Sequence, residues 1–217
     1  MLKAVIFDLD GVIANTEPIQ AQARNELLRS FGLSAEGVNA AAIGRGKREW
    51  WSFVAKKHGL QLTGEELAVK DFALCLKYIK EKRLVSTTGI YELLQSLRAL
   101  KIMAAVASSS DRFYVEEVLK FVQLDKFFCG LACGDEVPAS KPAPFLYKKA
   151  LEICGVRAEE AFAIEDSDTG ALAAKAAGVP CIAYDAEEAI AKQSFDTCVY
   201  RARTMQEILI YIKEHLK

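Results

Sequence analysis

Five short apolar runs recur along the chain, and most of them end in small or acidic residues. Between them lie segments whose apolar residues repeat with helical spacing, such as 113–122 and 145–154. The second of these segments is followed by Gly155, and glycine commonly ends a helix. Short continuous apolar runs are typical of parallel strands, which are buried on both faces. Alternation of strand and helix predicts an open α/β fold. The predicted strands are residues 4–7, 102–107, 131–133, 162–164 and 181–184.

Residues 15–83 break this alternation, because they contain no clear strand pattern. Apolar residues recur every fourth position from 19 to 31, and further helical segments follow. We therefore expect a helical cap domain at 15–83, inserted into an α/β core made of 1–14 and 84–217. The insert holds 12 Lys or Arg and 8 Asp or Glu, whereas the core holds 16 and 21. The insert is basic and the core is acidic.

The composition excludes several classes of protein. Of the 217 residues, 52% are hydrophobic, which is enough to bury a sizeable core. A net charge of -1 gives no chain-wide basic field for a nucleic acid or an anionic membrane. No segment approaches the ~18 consecutive apolar residues of a membrane span, and the first apolar run is too short for a signal peptide. We expect no nucleic-acid or membrane partner and a cytoplasmic location.

The six cysteines form no C-x-x-C pair, and only two histidines accompany them. Most of them lie within apolar stretches. They are therefore expected to be reduced core residues, and a structural zinc site is not expected.

The first apolar run ends in Asp8 and Asp10, followed by Gly11. Residues two apart on a strand point to the same side, so the two carboxylates should converge where the strand leaves the sheet. Two ionised carboxylates at that place repel each other unless a cation neutralises them, and oxygen ligands suit Mg²⁺. The alternative is an ordinary turn, since Asp and Gly commonly follow strands.

Glu165 and Asp166 repeat this arrangement at the end of a later apolar run. Ligands of open α/β sheets gather beyond the carboxyl ends of the strands. Acids from the two strands could therefore share one ion with Asp8 and Asp10. Alternatively, Asp166 and Ser167 could only cap the helix that follows.

Ser108, Ser109 and Ser110 follow the second predicted strand and precede a helix. A hydroxyl and free backbone N–H groups at a helix start can bind a phosphate. Capping of that helix by Ser109 or Ser110 is the alternative. Lys141 precedes Pro142 and another helix, and by itself it could equally be a solvated surface residue.

Taken together, these four segments resemble the haloacid dehalogenase superfamily of phosphotransferases. The resemblance is to the subfamily with a helical cap after the first motif, which includes β-phosphoglucomutases and many small-molecule phosphatases. It implies a Rossmann-like parallel-sheet core with an inserted α-helical cap. The matching stretches occur in the family's order, at residues 7–12, 106–109, 140–144 and 164–167.

The resemblance also implies a role for each matching residue. Asp8 would be the nucleophile that forms an aspartyl-phosphate, and Asp10 would protonate the leaving oxygen and then activate water. Ser108, Ser109 and Lys141 would bind the phosphoryl oxygens. Mg²⁺ would be bound by the Asp8 carboxylate, the Asp10 backbone carbonyl and Asp166, with Glu165 as a further ligand or close to one.

The cap is expected to select the substrate. Its candidate substrate-binding residues are Gln20, Arg45 and Lys47, of which the two cations could face an anionic substrate; a solvated helix entry is the alternative. Trp50 and Trp51 are expected to pack inside the cap. Asn15 stands where family members often carry Asp. Gln20 stands where β-phosphoglucomutases carry a histidine, which weakens the mutase hypothesis.

The leading hypothesis is a Mg²⁺-dependent phosphatase that acts on a small phosphorylated metabolite, such as a sugar phosphate. A β-phosphoglucomutase-like isomerase is the first alternative. The second is a phospho-accepting signalling module, which would also combine acids, a hydroxyl and a lysine. The sequence indicates neither the leaving group nor the oligomeric state.

Overall fold

The computed structural model of the protein describes residues 1–34, 46–186 and 193–216. The chain divides into two compact units. Unit 1 comprises Met1–Asn15 and Val85–Lys217, and unit 2 comprises Thr16–Leu84.

Unit 1 is built on a six-stranded parallel sheet in the order β3-β2-β1-β4-β5-β6. The predicted α/β, Rossmann-like core is therefore confirmed. One edge strand, β6, escaped prediction because it has three residues, including the exposed Arg201, and lacks a continuous apolar run. The strands are β1 (Ala4–Phe7), β2 (Met103–Ser108), β3 (Leu131–Cys133), β4 (Ala161–Glu165), β5 (Cys181–Tyr184) and β6 (Tyr200–Ala202).

Eight α-helices accompany the strands within the described residues. Unit 2 contains α1 (Glu17–Ser30), α2 (Lys47–His58) and α3 (Gly64–Lys82). Unit 1 contains α4 (Ile90–Ala99), α5 (Arg112–Phe121), α6 (Phe145–Cys154), α7 (Asp168–Ala176) and α8 (Met205–Glu214). None of these helices is long and apolar enough to cross a lipid bilayer.

Small side chains cover one face of the central strands. Ala105, Ala107 and Ala163 are fully buried there and pack in one cluster with residues of α6 and α7. Alanine keeps that face of the sheet flat, so Leu146 and Tyr147 of α6 can lie close to it. This packing fixes the position of α6 relative to the ends of the strands.

The register of the sheet sets the positions of the residues that follow the strands. Phe7 at the end of β1 lies opposite Val106 of β2 and Ile164 of β4. The backbone N–H of Asp8 donates to the carbonyl oxygen of Ile164 at 3.0 Å, which extends the ladder by one step. Asp8 and Glu165 therefore leave the sheet at the same level.

In the described part of unit 2, α3 packs against both α1 and α2. Thr63 caps α3 and forms a reciprocal capping box with Glu66, which satisfies backbone N–H groups at the helix start. Trp50 and Trp51 are buried in the core of this unit, with ring centroids 4.6 Å apart in an edge-to-face arrangement. Both indoles therefore pack within the helical unit, as predicted.

All six cysteines are free. Four of them are buried and Cys198 is half-buried, but Cys129 is exposed. The prediction of a core position is wrong for Cys129, because this residue lies in the turn before β3.

Candidate active site at the ends of β1, β2 and β4

Three carboxylates meet beyond the ends of β1 and β4. One oxygen from each of Asp8, Glu165 and Asp166 lies within 4.8 Å of the others, and Asp8 and Glu165 are buried. Asp8 follows β1, Glu165 ends β4, and the parallel register brings the two together. Among the described residues, this is the group of acids whose spacing suits a metal ion. Such a set of hard oxygen ligands fits Mg²⁺.

Asp10 was expected to join the same acidic group, but its carboxylate is placed differently. Its Oδ2 atom accepts a hydrogen bond of 3.0 Å from the hydroxyl of Ser110, beyond the end of β2. Asp8 and Asp10 nevertheless belong to one site, because the charge of Asp10 contributes to the pKa of Asp8. The Asp10 side chain is therefore close to the acidic group and separately oriented.

Lys141 provides the positive charge of the site. Its ammonium group donates to Asp8 Oδ1 at 2.5 Å and to Glu165 Oε1 at 2.6 Å, and the side chain is buried. The structure thus excludes the alternative of a solvated surface lysine. The peptide bond between Lys141 and Pro142 is cis. One cation is shared by two acids, so an excess of negative charge remains.

The pKa values of the pair reflect this imbalance. Burial, together with the charges of Glu165 and Asp10, raises the pKa of Asp8 to about 8, although Lys141 acts in the opposite direction. Burial lowers the pKa of Lys141, but the charges of Asp8 and Glu165 outweigh burial and raise it overall. The lysine is therefore a permanent cation, and the carboxylates have capacity for a further cation.

Tyr147 is a site residue that the sequence did not reveal. Its hydroxyl donates to Glu165 Oε1 at 2.6 Å, and Lys141 Nζ lies 5.6 Å from the centre of its ring. Burial and the charge of Glu165 raise the pKa of Tyr147 well above its ordinary value, so the phenol stays a donor. A signal was available, because Tyr147 lies on the apolar face of a predicted helix, and a buried tyrosine hydroxyl normally needs a partner.

The three serines at the end of β2 and just beyond it occupy different positions. Ser108 is fully buried, and its Oγ accepts the backbone N–H of Ser110 at 3.1 Å. Ser109 accepts a hydrogen bond of 2.7 Å from the hydroxyl of Ser140, next to Lys141. The N-cap position of α5 is Asp111, so neither Ser109 nor Ser110 occupies it.

At the end of β4, helix capping and the acidic group involve different residues. Ser167 caps α7 by accepting the N–H of Gly170 at 3.1 Å, while Asp166 faces the acidic group. Two glycines allow the backbone to approach these acids closely. A Cβ atom at Gly170 would lie 1.9 Å from Glu165 Oε2, and one at Gly11 would lie equally close to Asp166.

The cap residues that were predicted to bind substrate are Gln20, Arg45 and Lys47, and all three fall within the range of unit 2. Arg45 lies outside the described residues. The Gln20 amide donates to Thr16 Oγ1 at 3.3 Å. Lys47 forms an ion pair of 2.7 Å with Asp71, and both side chains are almost fully buried. Within unit 2, the Lys47 ammonium is therefore paired with the Asp71 carboxylate, a residue that the sequence analysis did not identify.

Comparison with known proteins agrees with this architecture. Residues 5–184 match the family model of haloacid dehalogenase-like hydrolases. A phosphorylated carbohydrates phosphatase of Thermotoga maritima is 32% identical over 187 residues, which cover 82% of this chain and 82% of that protein.

Two solved structures of a related protein are also similar to this chain. CbbY from Rhodobacter sphaeroides in complex with phosphate has a TM-score of 0.84 at 26% identity, covering 96% of this chain and 96% of that chain. A CbbY variant in complex with xylulose-(1,5)-bisphosphate has a TM-score of 0.83 at 25% identity, covering 95% and 96%. Because the family model spans most of the chain, this protein belongs to the haloacid dehalogenase-like hydrolases.

Proposed function

We propose that this protein is a Mg²⁺-dependent phosphatase that hydrolyses a small phosphomonoester, such as a sugar phosphate, through an aspartyl-phosphate on Asp8. The observation that carries the proposal is the buried Lys141 ammonium between Asp8 and Glu165, next to Asp166. Transfer of a phosphoryl group requires positive charge around spreading negative charge, more than it requires elaborate covalent chemistry. A permanent cation and a group of hard oxygen ligands supply that environment.

The substrate class rests on the relatives. The Thermotoga maritima protein is described as a phosphatase of phosphorylated carbohydrates, and CbbY was solved with phosphate and with a sugar bisphosphate. Sugar phosphates are therefore the first compounds to test.

Asp8 and Asp10 would divide the chemistry between them. An oxygen of Asp8 would attack phosphorus, and Asp10 would give a proton to the leaving oxygen and later take one from water. The hydrogen bond from Ser110 orients the Asp10 carboxylate separately from the acidic group, which suits a residue that exchanges protons and does not attack. Water that attacks the aspartyl-phosphate releases inorganic phosphate and regenerates Asp8.

Ser108, Ser109 and Lys141 would bind the phosphoryl oxygens. Ser108 lies at the end of β2 and Ser109 just beyond it, and Ser140, the residue before Lys141, donates a hydrogen bond of 2.7 Å to the Ser109 hydroxyl. Lys141 would then exchange part of its contact with Asp8 for a phosphoryl oxygen.

The carboxylates of Asp8 and Asp166 and the backbone carbonyl of Asp10 would hold Mg²⁺, with the Glu165 carboxylate as a further ligand or close to one. The spacing of the three carboxylates, their burial and the uncompensated charge around Asp8 fit a divalent cation. When bound, the ion would supply positive charge to the carboxylates and to the phosphoryl oxygens.

A phosphate-release assay tests the proposal. Purified protein is incubated with a panel of phosphomonoesters, sugar phosphates among them, with Mg²⁺ or with a chelator. We expect phosphate release that requires Mg²⁺ and that falls to background in Asp8→Asn and strongly in Asp10→Asn. Asp125→Asn, at an exposed position, is the matched control and should keep wild-type activity.

Two results would contradict the proposal. The first is a complete panel without phosphate release. The second is an aspartyl-phosphate that persists for minutes, as in a signalling module. Isomerisation of β-glucose 1-phosphate in the presence of a bisphosphate primer would instead identify the mutase alternative.

A further inference from the structure

We propose that Tyr147 is a positioning residue of the magnesium site, which holds the Glu165 carboxylate in the orientation that binds the ion. This inference rests on the proposed function, because it assigns Mg²⁺ to the acidic group. It concerns a residue outside the four motifs that predicted the site.

The contacts of Glu165 show how its carboxylate is held. Oε1 accepts two hydrogen bonds of 2.6 Å, one from the Tyr147 hydroxyl and one from the Lys141 ammonium. Among the described residues, Oε2 has one long contact of 3.4 Å with the Ser167 hydroxyl and lies against Gly170, where a Cβ atom would overlap it. With Oε1 fixed by two donors, Oε2 is the oxygen with capacity for a metal ion.

Lys141 alone cannot fix Glu165, because it also donates to Asp8. When the Lys141 ammonium also donates to a phosphoryl oxygen, its hydrogen bond to Glu165 weakens. Tyr147 has no second acidic partner among its described contacts and would keep Oε1 in place throughout. Hydrogen-bond partners behind a metal ligand act in this way, by fixing the orientation of the ligand.

The location of Tyr147 makes it a rigid donor. Its side chain is fully buried on α6, in the cluster formed with the alanines of the sheet. The ring position is therefore fixed by packing against the same sheet that carries Glu165 at the end of β4. A donor held by core packing loses little freedom when it orients a carboxylate.

The variant Tyr147→Phe separates the hydroxyl from the ring. Phenylalanine keeps the packing and the ring beside Lys141, and removes only the bond to Glu165. If the hydroxyl merely satisfies a buried carboxylate, the variant should lose thermal stability and keep its affinity for Mg²⁺. A positioning role predicts a loss of Mg²⁺ affinity, because Oε1 would then depend on a shared lysine.

The experiment is a titration of metal-free protein with Mg²⁺ in the absence of substrate. Binding is measured by isothermal titration calorimetry or by the shift in melting temperature. We expect the Kd for Mg²⁺ to rise about 10- to 100-fold in Tyr147→Phe, with substrate KM at saturating Mg²⁺ nearly unchanged. Tyr211→Phe removes a phenol hydroxyl far along the chain on α8, and should leave the Kd unchanged. An unchanged Kd in Tyr147→Phe would overturn the proposal.

A double-mutant cycle identifies the route of the effect. Tyr147→Phe should cost no further Mg²⁺ affinity in a Glu165→Gln background, because the group that it positions has already lost its charge. Additive losses would also overturn the proposal. These readouts do not need turnover. If no compound in the panel releases phosphate, the proposed function is wrong, but the Mg²⁺ affinities measured for Tyr147→Phe remain valid. If the wild-type protein does not bind Mg²⁺, the inference about Tyr147 is itself wrong.

Discussion

Gly11 packs directly against the carboxylate of Asp166. A Cβ atom on Gly11 would lie 1.9 Å from Asp166 Oδ2, and the glycine has a φ of +87° in the turn after β1. Glycine is therefore required here for two reasons, the backbone conformation and the space that Asp166 occupies. The first and last motifs of the chain are thus in contact through a residue that carries no chemistry.

The substitution Gly11→Ala should impair the acidic group. We expect about 1–2 kcal/mol of strain from the left-handed backbone, plus displacement of Asp166 by the new methyl group. Phosphate release and Mg²⁺ affinity should both fall by about tenfold or more. Gly155→Ala is the matched control, because Gly155 has a φ of +63° and no heavy atom within 4 Å of the added Cβ. Equal activity of the two variants would contradict the prediction.

Lys141→Met should abolish most of the activity. The substitution keeps the approximate length of the side chain and removes the ammonium group between Asp8 and Glu165. Loss of one preorganised donor to a developing negative charge costs about 100- to 1,000-fold in kcat. Lys148→Met, at an exposed position on α6, should keep wild-type kinetics. Full activity of Lys141→Met in the phosphate-release assay would remove the lysine from the mechanism.

The grouping of Asp8 with Glu165 could be predicted from the sequence for a simple reason. Each acid follows an apolar run, and parallel strands end at the same edge of a sheet. The contact requires no knowledge of side-chain packing. The same rule placed Ser108 at the end of the neighbouring strand.

Two contacts could not be predicted in this way. The hydroxyl of Tyr147 reaches Glu165 only because α6 lies close to an alanine-rich sheet face, and that rotation of the helix is decided by packing. Asp71 lies on α3, 24 positions from Lys47, and sequence spacing does not pair them. Helix-to-helix contacts depend on crossing geometry, which local patterns do not encode.

The ion pair between Lys47 and Asp71 predicts that substitution of Lys47 destabilises the fold, whereas a substrate-binding role predicts an effect on KM. Asp71 also accepts a hydrogen bond of 2.7 Å from Trp51 and one of 3.4 Å from the Cys75 thiol, so with Lys47 its carboxylate has three donors inside unit 2. Lys47→Met should lower the free energy of unfolding by about 3 kcal/mol, because a buried charge loses its partner. Urea denaturation measures this loss, and Lys56→Met, at an exposed position, should show none.

The double variant Lys47→Met with Asp71→Asn should recover part of that stability. Asparagine removes the unpaired charge and can still accept the Trp51 hydrogen bond. A substrate ligand would behave differently. In that case Lys47→Met would raise KM at unchanged stability, and the double variant would not recover it.

Cys129 should be the most reactive thiol of the protein. It is exposed, and its Sγ atom lies 3.6 Å from that of the buried Cys154. The hydrogen bond from Cys154 lowers the pKa of Cys129 to about 7. Since the thiolate is the nucleophile, alkylation by iodoacetamide should rise with pH through about 7, below the value of about 8.5 for an ordinary cysteine.

The partner thiol can be tested separately. Cys154→Ala removes the donor, so the midpoint of the pH profile of Cys129 alkylation should move up towards about 8.5. Cys154→Ser is the matched control, because its hydroxyl can still donate and should keep a lower midpoint. Peptide mass spectrometry after timed alkylation distinguishes Cys129 from the other five cysteines. If Cys154→Ala leaves the midpoint unchanged, the hydrogen bond from Cys154 is not what lowers the pKa of Cys129.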